Sequence, residues 1–114
     1  MEARDVFLLE GIIDLCDRIA STIVRNNGDL QRFTEDLDFQ EVCAFRVIQV
    51  GELVNSLSQN LKDAHPDIPW HAIIGFRNIL THDYGKIDVE RMWNTVNDDI
   101  PALRDFCAKQ IGKA

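Results

Sequence analysis

The sequence predicts an all-α protein, an antiparallel bundle of four to five helices. Apolar residues recur three and four positions apart through most of the chain, which is the spacing of an amphipathic helix face. No stretch alternates apolar and polar residues between turn-forming residues, as a half-buried strand would. The segments between the helical patterns are short, which favours antiparallel neighbours. The chain has 114 residues, enough for one hydrophobic core, and we expect a single domain over residues 1–114.

Residues 5–27 form the first predicted helix, on an apolar repeat that runs from Leu9 to Ile23. Asn26-Asn27-Gly28 ends it, because Gly28 suits the left-handed conformation that often follows a helix. A short turn or helix follows over residues 30–37. The next predicted helix, residues 39–64, is the longest in the chain. Its apolar seam alternates four and three positions apart and consists of Cys43, Val47, Val50, Val54, Leu57 and Leu61.

Prolines and one aspartate delimit the remaining predicted helices. His65-Pro66 ends the long helix, since the residue before a proline is pushed out of helical space. Pro69 is suited to the first turn of the next helix. Asp88 is a good N-cap for the last one. Pro101 lacks a backbone donor, so we expect the last helix to be kinked or broken near it.

The composition restricts the kinds of function that the chain can have. The formal net charge of −7 is unlike the basic footprint of most nucleic-acid binders, so any RNA contact must be local or shared by a dimer. An acidic chain also suits a partner with a basic surface. The three cysteines are widely spaced among apolar residues and read as reduced core cysteines of a cytoplasmic protein. No apolar stretch of the sequence approaches the length that a membrane-spanning helix needs.

One segment carries three side chains suited to phosphate chemistry, namely residues 77–84, Arg-Asn-Ile-Leu-Thr-His-Asp-Tyr. Arg77 offers a planar set of donors that fits a phosphate. His82 supplies an imidazole, a group that takes and gives protons near neutral pH. Tyr84 adds a hydroxyl that can be modified. Because the segment shows no metal-ligand spacing and no glycine-rich phosphate loop, it suggests metal-free acid–base chemistry on a phosphate ester.

The spacing limits how Arg77 and His82 can act together. On an ideal helix, residues five positions apart point about 140° away from each other. A looser helix near Thr81, a pocket approached from two flanks, or a site shared by two copies of the chain would each solve this problem. The simpler interpretation is that Arg77, His82 and Tyr84 are ordinary polar residues near a helix end, where the helix dipole favours cations.

The order Arg-x4-His-x-Tyr, formed by Arg77, His82 and Tyr84, resembles the signature of the HepT-like ribonucleases, a branch of the HEPN superfamily. Further blocks resemble the family in the same order: Gly-Glu at 51–52, Pro-Asp-Ile-Pro-Trp at 66–70, and the last helix at 88–93 and 99–103. Leu53 departs from the family, in which an alanine is more usual at this position, and we expect this difference to alter packing rather than chemistry.

The resemblance implies a metal-independent endoribonuclease that uses Arg77 and His82 on RNA, needs no cofactor and works as a homodimer. Glu52, Asn78 and Asp83 would have supporting roles, and Glu52 is expected near Arg77. Gly51 costs its helix about 1 kcal/mol relative to alanine. A close approach by a neighbouring element would account for that glycine.

The resemblance also implies a partner, an MntA-like nucleotidyltransferase antitoxin that neutralises the toxin by AMPylation of Tyr84. The alternative function is a non-catalytic HEPN-like module that binds a nucleotide or a nucleotidyltransferase. The negative net charge favours this module, whereas the intact set of Arg77, His82 and Tyr84 favours the nuclease. A purely structural helical dimer is the third possibility.

Overall fold

In a computed structural model, which describes residues 1–83, 85 and 87–113, the chain folds into helices, and no strand occurs within those ranges. The predicted all-α class is therefore confirmed. The α-helices are α1 (Ala3–Arg25), α2 (Leu30–Glu35), α3 (Leu37–Ser56), α4 (Gln59–Ala64), α5 (Trp70–His82), α6 (Val89–Asn94) and α7 (Ile100–Lys113).

The bundle is built around α1, which packs between α3 and α7, while α3 packs in turn against α5. The repeat that predicted α1 supplies its buried side, where Leu9, Ile12 and Ile19 are fully buried. The α1 helix ends at a left-handed pair, Asn27 with φ 62° and Gly28 with φ 50°. Because α5 packs against α3, the position of residues 77–83 depends mainly on the α3–α5 contact.

The prediction of one continuous helix over residues 39–64, the longest in the chain, is wrong on both counts. The α3 helix ends at Ser56, and at 20 residues it is shorter than α1 with 23. Ser58 then caps α4 by accepting a hydrogen bond from the Leu61 amide at 3.2 Å. The buried Asp5 carboxylate accepts from the Ser58 amide at 2.9 Å and from the Ser58 hydroxyl at 2.6 Å. This partner from α1 stabilises the break, although the apolar seam continues across it.

The interruption expected near Pro101 is present in the last helical stretch. A π-helical segment, Thr95–Asp99, separates α6 from α7. It lies just before Pro101, whose missing N–H removes a hydrogen bond from this turn. The predicted N-cap is also confirmed, because Asp88 accepts from the amides of Glu90 and Arg91 at 3.0 and 3.3 Å.

The cysteines lie in the core, as predicted. Cys16, Cys43 and Cys107 are buried and not in disulfides. Burial raises the pKa of the Cys16 and Cys107 thiols to about 12 and that of Cys43 to about 11. Among the described residues, no helix is both long and apolar enough to cross a membrane.

Candidate active site

Arg77 is positioned by a close contact between α3 and α5 at Gly51. A Cβ atom on Gly51 would lie 2.6 Å from the Cγ of Arg77 and closer still to its Cβ. Real Cβ atoms do not approach other carbons so closely, so only glycine fits here. The expectation that Gly51 marks a close approach is confirmed.

The guanidinium of Arg77 is held by two neighbouring side chains. Its Nη2 lies 3.2 Å from Oε1 of Glu52, and its Nη1 donates to Oδ1 of Asn78 at 2.6 Å. The Arg77 side chain is only 16% exposed, whereas that of Glu52 is 56% exposed. Its Nε is buried and has no hydrogen-bond partner within the described part of the chain. The guanidinium therefore has a fixed orientation at the edge of the fold, as a group that binds a phosphate requires.

His82 lies at the other end of this segment and is exposed. The α5 helix continues as far as His82, and the Thr81 hydroxyl donates to the carbonyl of Arg77 at 2.9 Å, as in a regular helix. The looser helix near Thr81 is therefore not observed. Five residues of α-helix rotate His82 by about 140° and advance it about 7.5 Å from Arg77. One chain does not place the two groups on the same side of α5.

The remaining predicted site residues divide into three groups. Glu52 and Asn78 contact Arg77 directly. Asp83 follows His82 at the end of α5, where its amide donates to the carbonyl of Ile79 at 2.8 Å. Tyr84, the predicted modification site, lies outside the described residues.

Two cavities formed by the described residues border α5, and neither is lined by Arg77 or His82. An apolar groove of about 630 Å³ runs between α3, α5 and the α6–α7 stretch, with Asp88, Glu90 and Asp99 among its polar lining residues. A more polar cleft of about 720 Å³ lies between α4 and the first half of α5. Sequence reasoning missed this second cavity, the α4–α5 cleft. One signal was available, because Asn55, which lines the cleft, follows Glu52 by three positions and so lies on nearly the same helix face.

No group of three or more His, Cys, Asp or Glu side chains within the described ranges is arranged to hold a metal ion. Arg77, Glu52 and Asn78 instead form a cluster centred on the guanidinium. The arginine supplies the charge, and the carboxylate and the amide hold it in place.

Several known proteins that are similar to this chain are named as ribonucleases. A family model described as Ribonuclease HepT-like matches residues 9–110. A Thermococcus cleftensis protein named as a probable ribonuclease HepT is 33% identical over 84 residues, which cover 66% of this chain and 76% of that protein. A Methanocaldococcus jannaschii protein named as a candidate RNase is 29% identical over 91 residues, which cover 72% of this chain and 84% of its own length. No solved structure matched the chain.

Proposed function

The chain belongs to the HepT-like ribonuclease family, and we propose that it is a metal-independent endoribonuclease acting as the toxin of a toxin–antitoxin pair. The observation that carries this proposal is the fixed guanidinium of Arg77, held 3.2 Å from Glu52 across the Gly51 contact. The family's Gly-Glu pair and its arginine thus form one structural unit. The relatives named as ribonucleases support RNA as the substrate class.

In the proposed reaction, the 2′-hydroxyl of the RNA attacks the adjacent phosphorus and the bond from phosphorus to the 5′-oxygen breaks. The products are a 2′,3′-cyclic phosphate and a free 5′-hydroxyl. Arg77 stabilises the negative charge that develops on the phosphate oxygens. His82 either takes the proton from the 2′-hydroxyl or gives one to the leaving 5′-oxygen. The use of an internal 2′-hydroxyl restricts the substrate to RNA.

We further propose that a homodimer completes this site. Phe45 is 61% exposed and Val42 is 39% exposed on α3. Phe45 precedes Glu52 by seven residues, so the two lie on the same face of α3, about 10.5 Å apart along its axis. A second copy bound to this apolar face would lie close to the Arg77–Glu52 pair. It could supply the imidazole that the first copy directs elsewhere.

The first test is RNA cleavage by the purified protein and by its His82→Ala variant, with far-UV circular dichroism as the control for folding. We expect cleavage by the wild type and its loss in the folded variant. Equal inertness of both proteins, combined with binding of a nucleotide or a nucleotidyltransferase, would instead favour the non-catalytic module.

Mixing two inactive variants tests the shared site. An Arg77→Ala chain and a His82→Ala chain would together form mixed dimers in which one of the two sites contains both intact groups. Random pairing under twofold symmetry then restores about a quarter of wild-type activity. A site contained in one chain would give no recovery. Phe45→Asp should abolish the recovery by separating the copies, with the change in mass followed by light scattering.

The proposed regulation is AMPylation of Tyr84 by an MntA-like nucleotidyltransferase antitoxin. The phenol oxygen would attack the α-phosphorus of ATP and pyrophosphate would leave, which adds bulk and negative charge seven residues after Arg77. Intact mass after mixing with the partner and ATP should rise by whole AMP units. An equal gain in Tyr84→Phe would rule out this residue as the acceptor.

A further inference from the structure

The α4–α5 cleft begins one helical turn from the Arg77–Glu52 pair. Asn55 follows Glu52 by three residues on α3, Ile74 precedes Arg77 by three on α5, and both line the cleft. Three residues advance an α-helix by about 4.5 Å. A chain whose phosphate lies at Arg77 therefore needs to continue only a short distance along α5 to enter the cleft.

Charge distinguishes this cleft from the apolar groove on the other side of α5. The groove has the carboxylates of Asp88, Glu90 and Asp99 and one arginine among its described lining residues, so it disfavours a polyanion. The α4–α5 cleft has Lys62 and His71, with Asp63 as the one acid among the described residues that line it. The Asp63 carboxylate accepts a hydrogen bond from Gln59 at 2.8 Å. Of the two cavities, the cleft is thus the better surface for RNA.

The walls of the cleft are held in place before any ligand binds. The indole Nε1 of Trp70, at the start of α5, donates to the carbonyls of Lys62 and His65 at 3.1 and 3.0 Å. These bonds join the end of α4 to the beginning of α5. The ammonium of Lys62 donates to the carbonyl of Asn55 at 3.1 Å, which directs its charge toward the mouth of the cleft nearest Glu52.

We infer that the α4–α5 cleft binds the unpaired nucleotide next to the scissile phosphate, with the Asn55 amide contacting its base and Lys62 contacting the strand. This inference rests on the proposed ribonuclease function. An amide offers both a donor and an acceptor, which is the pattern that reads a base edge in single-stranded RNA. Asn55 is exposed at the end of α3, so its side chain is available for this contact. The volume of about 720 Å³ is in the range of small-ligand sites, roughly 300–1,000 Å³.

The first experiment measures base preference at the cut site. The substrates are oligouridylates that carry one adenosine, cytidine or guanosine, and kcat and KM are determined for each. A matched hydrogen-bond pair discriminates bases by about 5- to 150-fold. Asn55→Ala should therefore reduce the wild-type preference by at least about fivefold. Asn55→Asp, which can only accept hydrogen bonds, should shift the preference toward cytidine, whose amino group donates.

Asn60→Ala is the matched control, because Asn60 lies on α4 and lines a different cavity with Met1 and Glu2. It should keep the wild-type preference. If Asn55→Ala and Asn60→Ala cut the same positions with the same ratios, Asn55 does not read the base.

The second experiment measures binding without cleavage. Fluorescein-labelled oligouridylate is titrated with the His82→Ala protein across a range of salt concentrations. The slope of log K against log salt is negative, and each lost phosphate contact to a single strand makes it less steep by about 0.7. Adding Lys62→Ala should produce this change, whereas adding Lys109→Ala, which replaces an exposed lysine on α7, should not.

The two experiments separate failure of the inference from failure of the nuclease proposal. Wild-type cleavage with unaltered behaviour of the Asn55 and Lys62 variants would overturn the inference alone. Absence of wild-type cleavage would overturn the nuclease, and the salt titration would then decide the cleft by itself. Absence of binding, or an unchanged slope in Lys62→Ala, would remove the cleft as an RNA site.

Discussion

Gly51→Ala tests directly how the fold holds the guanidinium of Arg77. The new methyl group would lie 2.6 Å from the Arg77 Cγ, about 1 Å inside the usual contact distance between carbons. The atoms it meets are the first carbons of the arginine side chain, so α5 must move to relieve the clash. Overpacking of this kind costs about 1–3 kcal/mol. The gain in helix propensity is about 1 kcal/mol, so the net loss of unfolding free energy is about 0–2 kcal/mol.

Gly75→Ala is the matched control, since Gly75 lies within α5 and an added Cβ meets nothing within 4 Å. This variant should gain about 1 kcal/mol from propensity alone. Urea denaturation followed by circular dichroism measures both variants, and Gly51→Ala should be the less stable by about 1–3 kcal/mol. It should also lose RNA cleavage at temperatures where it remains folded, because α5 carries Arg77 away from Glu52. Equal stabilisation of both variants would refute the proposed role of the close contact.

Three further predictions concern the buried Asp5, the ion pair between Glu52 and Arg77, and the buried Cys43 thiol. Asp5→Ala leaves the Ser58 amide and hydroxyl without their acceptor and should lower the unfolding free energy by roughly 3 kcal/mol or more. Asp14→Ala is the control: it removes an exposed ion pair with Arg18 and should cost less than about 0.5 kcal/mol of unfolding free energy. Similar losses in Asp5→Ala and Asp14→Ala would contradict the proposed role of Asp5. Glu52→Gln should cost less than about 1 kcal/mol of stability, because the carboxylate is 56% exposed. Its kcat/KM should nevertheless fall about tenfold or more, since the guanidinium loses its orientation; an unchanged or higher kcat/KM would show that Glu52 only competes with the phosphate. The folded pKa of Cys43, about 11, is above its ordinary value of 9.0, so its contribution to stability is present below pH 9 and is lost as the pH rises toward 11. Urea titrations at pH 8, 9 and 10 should show that Cys43→Ala loses about 1 kcal/mol less unfolding free energy between pH 9 and 10 than the wild type. Equal losses in the two proteins would refute the shift.

The helices that apolar spacing predicts agree with the structure wherever burial alone decides them. The seam from Cys43 to Leu61 is buried along its whole length. The break at Ser58 was not predicted, because the apolar repeat continues across it and outweighed the single serine, although serine is a common N-cap residue. The partner that stabilises the break is Asp5, 53 residues earlier in the chain. A pairing between distant polar residues has no periodicity by which the sequence could reveal it.

The candidate site was predictable to a similar degree. The Gly51-Glu52 pair and Arg77 were expected to lie together, and the structure places them in contact. The α4–α5 cleft was not expected, because it depends on how the end of α4 meets the start of α5 through Trp70. His71 illustrates the difficulty, because it lines the cleft but is exposed, and a single exposed histidine in a sequence gives no sign of a cavity. The catalytic roles of Arg77 and His82 remain predictions that the cleavage assays test.

An acidic chain can bind RNA if its cations are concentrated where the phosphates lie. At physiological ionic strength, exposed charges more than about 8 Å apart are largely screened from each other. The net charge of −7 therefore matters less than the charges near the bound strand. Arg77 is only 16% exposed, so its charge is screened less than that of a lysine in open solvent. With only Arg77 and Lys62 as proposed contacts from one chain, affinity for RNA should be modest and strongly salt-dependent. A second copy would double the number of cations and bring the missing imidazole, so dimer formation and substrate binding should favour each other.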